Sequence, residues 1–354
     1  MTSEADLVRE IAGRILAGTP DPVVRFRLLR DVLARPPDSP EMVQARRDLS
    51  TSRWIHELER EQREDGSWGR FHSRDSQARH KIPTTEVGVE RALALGLDVD
   101  HPILGKAARY LVGLLEGPVA SFPDPPERND RWATGVRLFT AATLALVQPD
   151  HPILDEVWNL WLSVAQRAFA AGRYDAGAEV QAHRELTGAT VQDSYLVLSG
   201  RYQLALLGAR PGALPRELER ALLDWVWHKE GGIGYLCVRL SSPDDYVDTW
   251  NLDHWFASLE LLSRFPGWRE QAGDAVRWLW DRWTGGQGDG ETRRPGDKGT
   301  RGRGDEAIRW LWDFGPKTAV RLSENWRKGL ARQFDWTTRV LVLLQNYYSG
   351  RMAL

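Results

Sequence analysis

The five residues Asp100-His101-Pro102-Ile103-Leu104 recur unchanged as Asp150-His151-Pro152-Ile153-Leu154, an offset of 50 residues. Each copy follows an Ala/Leu-rich stretch, Arg91 to Leu97 and Ala141 to Val147, and opens another segment with apolar residues at helical spacing. Aspartate is a natural N-cap, and proline is tolerated in a first helical turn, whose N–H groups have no acceptor within the helix. The repeated unit therefore reads as helix, short turn, helix. A period of this length marks stacked helical pairs, arranged as a solenoid or as a closed ring.

Other segments repeat the pattern. Ser3 with Asp6 forms a capping start ahead of Leu7, Val8, Ile11 and Ile15; Asp21-Pro22 and Ser39-Pro40-Glu41 open two more helices. A third pair is expected over Val191–Leu207 and Pro215–His228, and a fourth over Asp248–Arg264 and Trp268–Trp283. Residues 284–305, rich in Gly, Arg and Asp, read as a flexible insertion in one continuous domain spanning 1–354. Near-identical heptapeptides flank the insertion, Ala275 to Asp281 and Ala307 to Asp313, as a local duplication would leave them.

Composition narrows the function classes. A formal net charge of -2 gives no basic surface for nucleic acid, so a nucleic-acid partner is not expected. The longest apolar runs, such as Val340 to Leu344, are far shorter than a bilayer span. With Glu4 and Asp6 early and no apolar core behind them, the N-terminus does not read as a secretory signal. The single cysteine, Cys237, rules out an intramolecular disulfide and fits a reducing compartment. A cytoplasmic protein is expected, with room for peripheral contact at a membrane surface. Tryptophan is the outlying residue type: 17 are present against 3 methionines, and rings at that density brace helix contacts or line a cavity.

After the helix that ends near Leu58 comes Gln62-Arg63-Glu64-Asp65-Gly66-Ser67-Trp68-Gly69. Gly66 permits a tight turn, Trp68 can lodge between neighbouring hairpins, and the Gln62 amide can tie helix ends together. The string resembles the Gln/Trp repeat motif of squalene and oxidosqualene cyclases. Its order relative to Pro83-Thr84-Thr85-Glu86 and the His-Pro-Ile-Leu helix also matches their repeat unit. Weaker echoes stand at Glu230 to Tyr235 and at Trp312 to Gly315. The resemblance spans roughly residues 20 to 345 in organisation, with one clean copy of the motif. It implies an all-α fold of the α/α toroid type: a barrel of concentric inner and outer helices built from helical hairpins. It also implies a polyprenyl or other lipid-like small molecule in an aromatic axial cavity, as in terpenoid cyclases and protein prenyltransferases.

The acidic run Asp244-Asp245-Tyr246-Val247-Asp248 has three readings. It spells the Asp-Asp-x-x-Asp pattern with which class I terpene synthases hold magnesium and diphosphate; on a helix, Asp244 and Asp248 would share a face. No cofactor is expected otherwise, and Mg2+ only with a diphosphate substrate. Aligned with the Asp-x-Asp-Asp-Thr motif of class II cyclases, Asp245, Asp248 and Thr249 match, but Val247 replaces the proton-donating aspartate, leaving Asp248 as the candidate acid. Third, Ser242-Pro243-Asp244 resembles a helix start, where acids satisfy free amides. Tyr246, Trp250 and Trp255 are candidate substrate-facing rings, and core packing is the alternative for each. Glu86 and Asp193 stand near the starts of expected inner helices, where each can point inward or cap. Cys237 lacks the neighbouring aspartate that prenyltransferases use for zinc, so no protein-held metal is expected.

Three functions follow. The chain acts on a polyprenyl substrate by carbocation chemistry, binds a lipid or partner without turnover, or is a carbohydrate-active toroid with two facing carboxylates.

Overall fold

The structure, a computed structural model, describes residues 3–77, 79–188, 196–283 and 310–350. Among these residues the regular structure is helical and no β-strand forms. The chain begins with α1 (Glu4–Ala17), α2 (Pro22–Arg27, prolonged by a π-turn over Leu28–Val32), α3 (Pro40–Ser50) and α4 (Arg53–Glu61). It continues with α5 (Thr85–Ala94), α6 (Pro102–Glu116), α7 (Trp132–Val147), α8 (Leu154–Ala168) and α9 (Ala176–Thr187). The last five are α10 (Arg201–Gly208), α11 (Arg216–His228), α12 (Trp250–Leu262), α13 (Gly273–Asp281) and α14 (Gly329–Ser349). No helix among the described residues is long and apolar enough to cross a membrane.

The starts expected from sequence form as caps: the side chains of Ser3, Asp21 and Ser39 accept the amides of Asp6, Val23 and Met42. The repeated pentapeptide works differently from expectation. His101, rather than Asp100, caps α6, its Nδ1 accepting from Ile103 N at 3.3 Å, and His151 Nδ1 receives Ile153 N at the same distance. With proline at the next position, the imidazole is the side chain within reach of the first free amide. The third pair is shorter than expected, since α10 begins at Arg201, and residues 191–195 of that segment lie outside the described residues, as does the 284–305 insertion. The two heptapeptides diverge in structure. The first lies in α13, whereas Trp310 to Asp313 of the second form irregular chain.

The Gln62–Trp68 turn shows why the pairs stack. Gln62 is the C-cap of α4; its amide donates to Gly66 O at 3.0 Å and to Ile103 O, in the first turn of α6, at 2.9 Å. Gly66 has φ +93°, and a Cβ there would sit 2.4 Å from Lys106 O, so only glycine permits this approach. Trp68 is buried, with Nε1 donating to Leu58 O at 2.9 Å and its backbone N–H to Thr85 Oγ1 at 3.0 Å. Its ring occupies the space that a Cβ on Gly88 would need. One turn thus joins α4, α5 and α6. Trp312 repeats the arrangement, donating from Nε1 to Leu279 O at 2.7 Å and from N to Thr337 Oγ1 at 3.0 Å.

Packing between helices follows a series. Helix α5 packs on α7, α7 on α10 and α10 on α12. Arg339 of α14 pairs with Asp253 and Glu260 of α12. Helix α14 in turn packs on α1, α2 and the π-turn, and Arg27 and Arg30 donate to the carbonyls of Ala94 and Gly96 at the end of α5. Tyr348 also bonds Glu4 at 2.6 Å, and Glu324 N bonds Asp21 Oδ2 at 2.9 Å, joining residues from the two ends of the sequence.

Asp335, buried in α14, accepts from the amides of Leu322 and Ser323 and from the Ser323 hydroxyl. Burial raises its pKa to about 7, against the lowering effect of those hydrogen bonds. A carboxyl raised in the folded state holds a proton that the unfolded chain releases near pH 4, so its contribution falls as pH rises from about 4 to about 7. The stability advantage of wild type over Asp335→Asn should therefore widen as pH is lowered through that window, read by urea denaturation; a constant difference would contradict the assignment.

Candidate functional site

A loop following Trp68 carries the site's central side chain. The buried carboxylate of Asp124 accepts the amides of Phe71 at 2.8 Å and His72 at 3.0 Å, and that of Ser73. On its other side the loop bonds the start of α5: Thr85 N to Arg70 O at 2.9 Å and Glu86 N to Phe71 O at 3.1 Å. Pinned on both sides, the loop presents the half-buried His72 to Glu86, with Nδ1 at 2.7 Å from Glu86 Oε2.

Glu86 is 5% exposed, and its second oxygen, Oε1, is buried with no hydrogen-bond partner among the described residues. Because native structures rarely leave a buried carboxylate oxygen unpaired, such an atom marks a place where a ligand group or water belongs. Around the His72–Glu86 pair stand three rings from different elements. Phe139 of α7 lies 5.0 Å from the His72 ring and 4.2 Å from Tyr202 of α10, whose hydroxyl oxygen is 3.3 Å from His72 Nδ1. Tyr235 meets Tyr202 edge-on at 5.2 Å. It keeps 41% of its surface exposed and holds φ +71°, a left-handed conformation that costs a non-glycine residue about 1–3 kcal/mol. One turn beyond Glu86, Glu90 pairs with Arg201 of α10.

The charges follow from these contacts. Burial pulls the His72 imidazole down, but the hydrogen bond and charge of Glu86 outweigh it, so the pKa rises and the imidazolium form gains. Burial raises Glu86, yet the His72 hydrogen bond and the Arg201 charge bring it below its ordinary range. For Glu90 burial prevails over Arg201 and the pKa is raised. Burial and the Glu86 charge drive Tyr202 far up, so its hydroxyl stays neutral. The resulting arrangement is a carboxylate with one oxygen unpartnered among the described residues, hydrogen-bonded to the His72 imidazole and bordered by aromatic rings. It can accept a hydrogen bond or stabilise positive charge.

The candidates from sequence fall in different places. Glu86 is at the centre of this cluster, while Asp193 lies outside the described residues. The acidic run forms a 3-10 turn over Pro243–Tyr246 with Val247 extended, not a helix, so Asp244 and Asp248 do not share a helical face. Asp244, Asp245 and Asp248 are exposed. Asp244 is engaged by Arg282 and by Trp278 Nε1 at 3.0 Å, whereas the carbonyl of Asp248 accepts from Lys317 at 2.5 Å. Thr249 caps α12, the role that the third reading gave to the start of the run. Tyr246 binds Arg239 N through its hydroxyl, Trp250 is 52% exposed, and Trp255 is buried with Nε1 donating to Leu240 O at 3.0 Å. No group of three or more His, Cys, Asp or Glu side chains gathers as a metal site among the described residues. The sequence pattern singles out none of His72, Phe139 and Tyr202. The signal available was His72 at the end of the Gln62–Gly69 motif, ahead of Glu86.

Replacing Glu86 by Gln should lower the His72 pKa, because it removes the adjacent opposite charge that raises it. Histidine titration by NMR measures it, and an unmoved pKa would contradict the pairing. By linkage, the pair's stabilisation is complete below the unfolded histidine pKa and disappears as pH rises through the folded value. Comparisons with protein-family models, with curated proteins and with solved structures found no match to this chain.

Proposed function

We propose that the chain is an α/α toroid of the squalene-cyclase type that takes a polyprenyl substrate against Phe139, Tyr202 and Tyr235. Support for the toroid comes from the helix series. Helices α2, α5, α7, α10, α12 and α14 each touch the next, and α14 returns to α2, as inner helices of a ring would. The observation that carries the chemical reading is the buried Glu86 Oε1, without a hydrogen-bond partner among the described residues and near aromatic rings. A carbocation is stabilised by the negative face of an aromatic ring and by a preorganised carboxylate in a water-poor site. A hydrocarbon chain would lie against these rings, and positive charge developing along it would meet Glu86. His72 orients Glu86, and the neutral Tyr202 hydroxyl beside both adds a hydrogen bond that favours the Glu86 carboxylate.

This reading places the working carboxylate at Glu86 instead of Asp248. A carbohydrate-active toroid requires two carboxylates facing one another across a sugar. Glu86 and Glu90 lie one turn apart on a single helix, an arrangement that does not provide that pair.

The test is product formation from farnesyl diphosphate, geranylgeranyl diphosphate and squalene, each with and without Mg2+. Turnover should fall at least about a hundredfold in Glu86→Gln, the scale of losing one electrostatic contact to the transition state, and persist in Asp248→Asn. The reverse pattern would return the chemistry to the acidic run. Tight binding without product in the wild-type protein would make the chain a lipid-binding toroid.

A further inference from the structure

Beside the Gln62–Gly69 turn, Arg63, Arg70 and His80 line a pocket of about 150 Å3 with Trp68 and Gly69 in its wall. Arg63 reaches over Gly69: its Nη2 lies 3.6 Å from where a Cβ on that residue would stand, and Gly69 has φ +101°, which favours glycine. Arg63 makes no side-chain hydrogen bond or ion pair with the described residues. Arg70 approaches the pocket's one carboxylate, Asp75, only to 4.0 Å, beyond hydrogen-bonding distance. Two guanidinium groups thus face one carboxylate, leaving surplus positive charge in a concave space.

The pocket is smaller than the roughly 300–1,000 Å3 of sites that enclose drug-sized ligands. It suits a compact group, not a hydrocarbon chain. Planar guanidinium groups recognise oxyanions through paired N–H donors, and phosphate offers enough oxygens to engage more than one of them at once. We propose that this pocket binds a phosphate-type oxyanion, phosphate or diphosphate, through Arg63 and Arg70. The site is separate from the His72–Glu86 cluster and does not depend on the polyprenyl reading, although Arg70 and His72 share one loop.

Isothermal titration of the full chain with inorganic phosphate and with inorganic pyrophosphate, at low ionic strength, tests it. Saturable 1:1 binding is expected. Arg63→Ala and Arg70→Ala should each weaken it at least about tenfold, the factor carried by one charge-assisted hydrogen bond, and the double variant should abolish it. Glu86→Gln should leave it unchanged. A parallel titration with farnesyl diphosphate identifies the source of the anion. Arginine-dependent binding tighter than that of pyrophosphate indicates a lipid head group, and equal binding indicates the free anion. Circular dichroism of each variant confirms that it folds. Absence of saturable binding to both inorganic anions, or binding that survives the double substitution, would overturn the proposal, as would loss of binding in Glu86→Gln.

Discussion

The turn from Gln62 to Trp68 is the constraint on which the rest of the described architecture depends. Helix ends leave carbonyl groups without partners, and a stack of hairpins buries many such ends. Here the Leu58 carbonyl at the end of α4 takes the Gln62 amide N–H and also the Trp68 indole N–H, the Gln62 side chain adds a bond to Ile103 O in the first turn of α6, and Gly66 lets the two segments approach. Trp68 also takes its place against Gly88, so α5 is held by shape as well as by hydrogen bonds. Trp312 and Thr337 reproduce the device near the C-terminal helix, with Leu279 in the place of Leu58. Such recurrence explains how a chain of short helices, few of which would persist alone in water, acquires a common core.

The same turn sets up the candidate cluster. Its exit carries the chain into the loop held by Asp124, and that loop fixes His72 at hydrogen-bonding distance from Glu86. Arg201 with Glu90, and Arg339 with Asp253 and Glu260, place two ion-pair groups between α5 and α10 and between α12 and α14. Burying such charges is tolerable only when each is paired. Glu86 keeps one oxygen without a partner among the described residues, as Arg91 and Arg321 each keep one nitrogen.

Much of the fold was legible in the sequence because its signals are local. Capping by Ser3, Asp21 and Ser39, proline in first turns, and the Gln/Gly/Trp spacing each act within a few residues. The site was less legible because its members come from four places in the chain: the loop at His72, α5, α7 and α10. Glu86 was visible only as one of several acids near helix starts. Acidic spacing drew attention to Asp244, Asp245 and Asp248, but a run of carboxylates is also what an exposed turn tolerates, and these three are exposed. The duplicated heptapeptide shows the limit plainly: nearly the same residues are helical in α13 and irregular at Trp310–Asp313, since the surroundings differ.

A structure of the protein crystallised with a non-hydrolysable farnesyl diphosphate analogue tests the central claim most directly. The account predicts hydrocarbon density in contact with Phe139, Tyr202 and Tyr235, with an atom of the ligand or an ordered water bound to Glu86 Oε1. An analogue lying instead along Asp244–Asp248, with the His72–Glu86 cluster closed and dry, would contradict it.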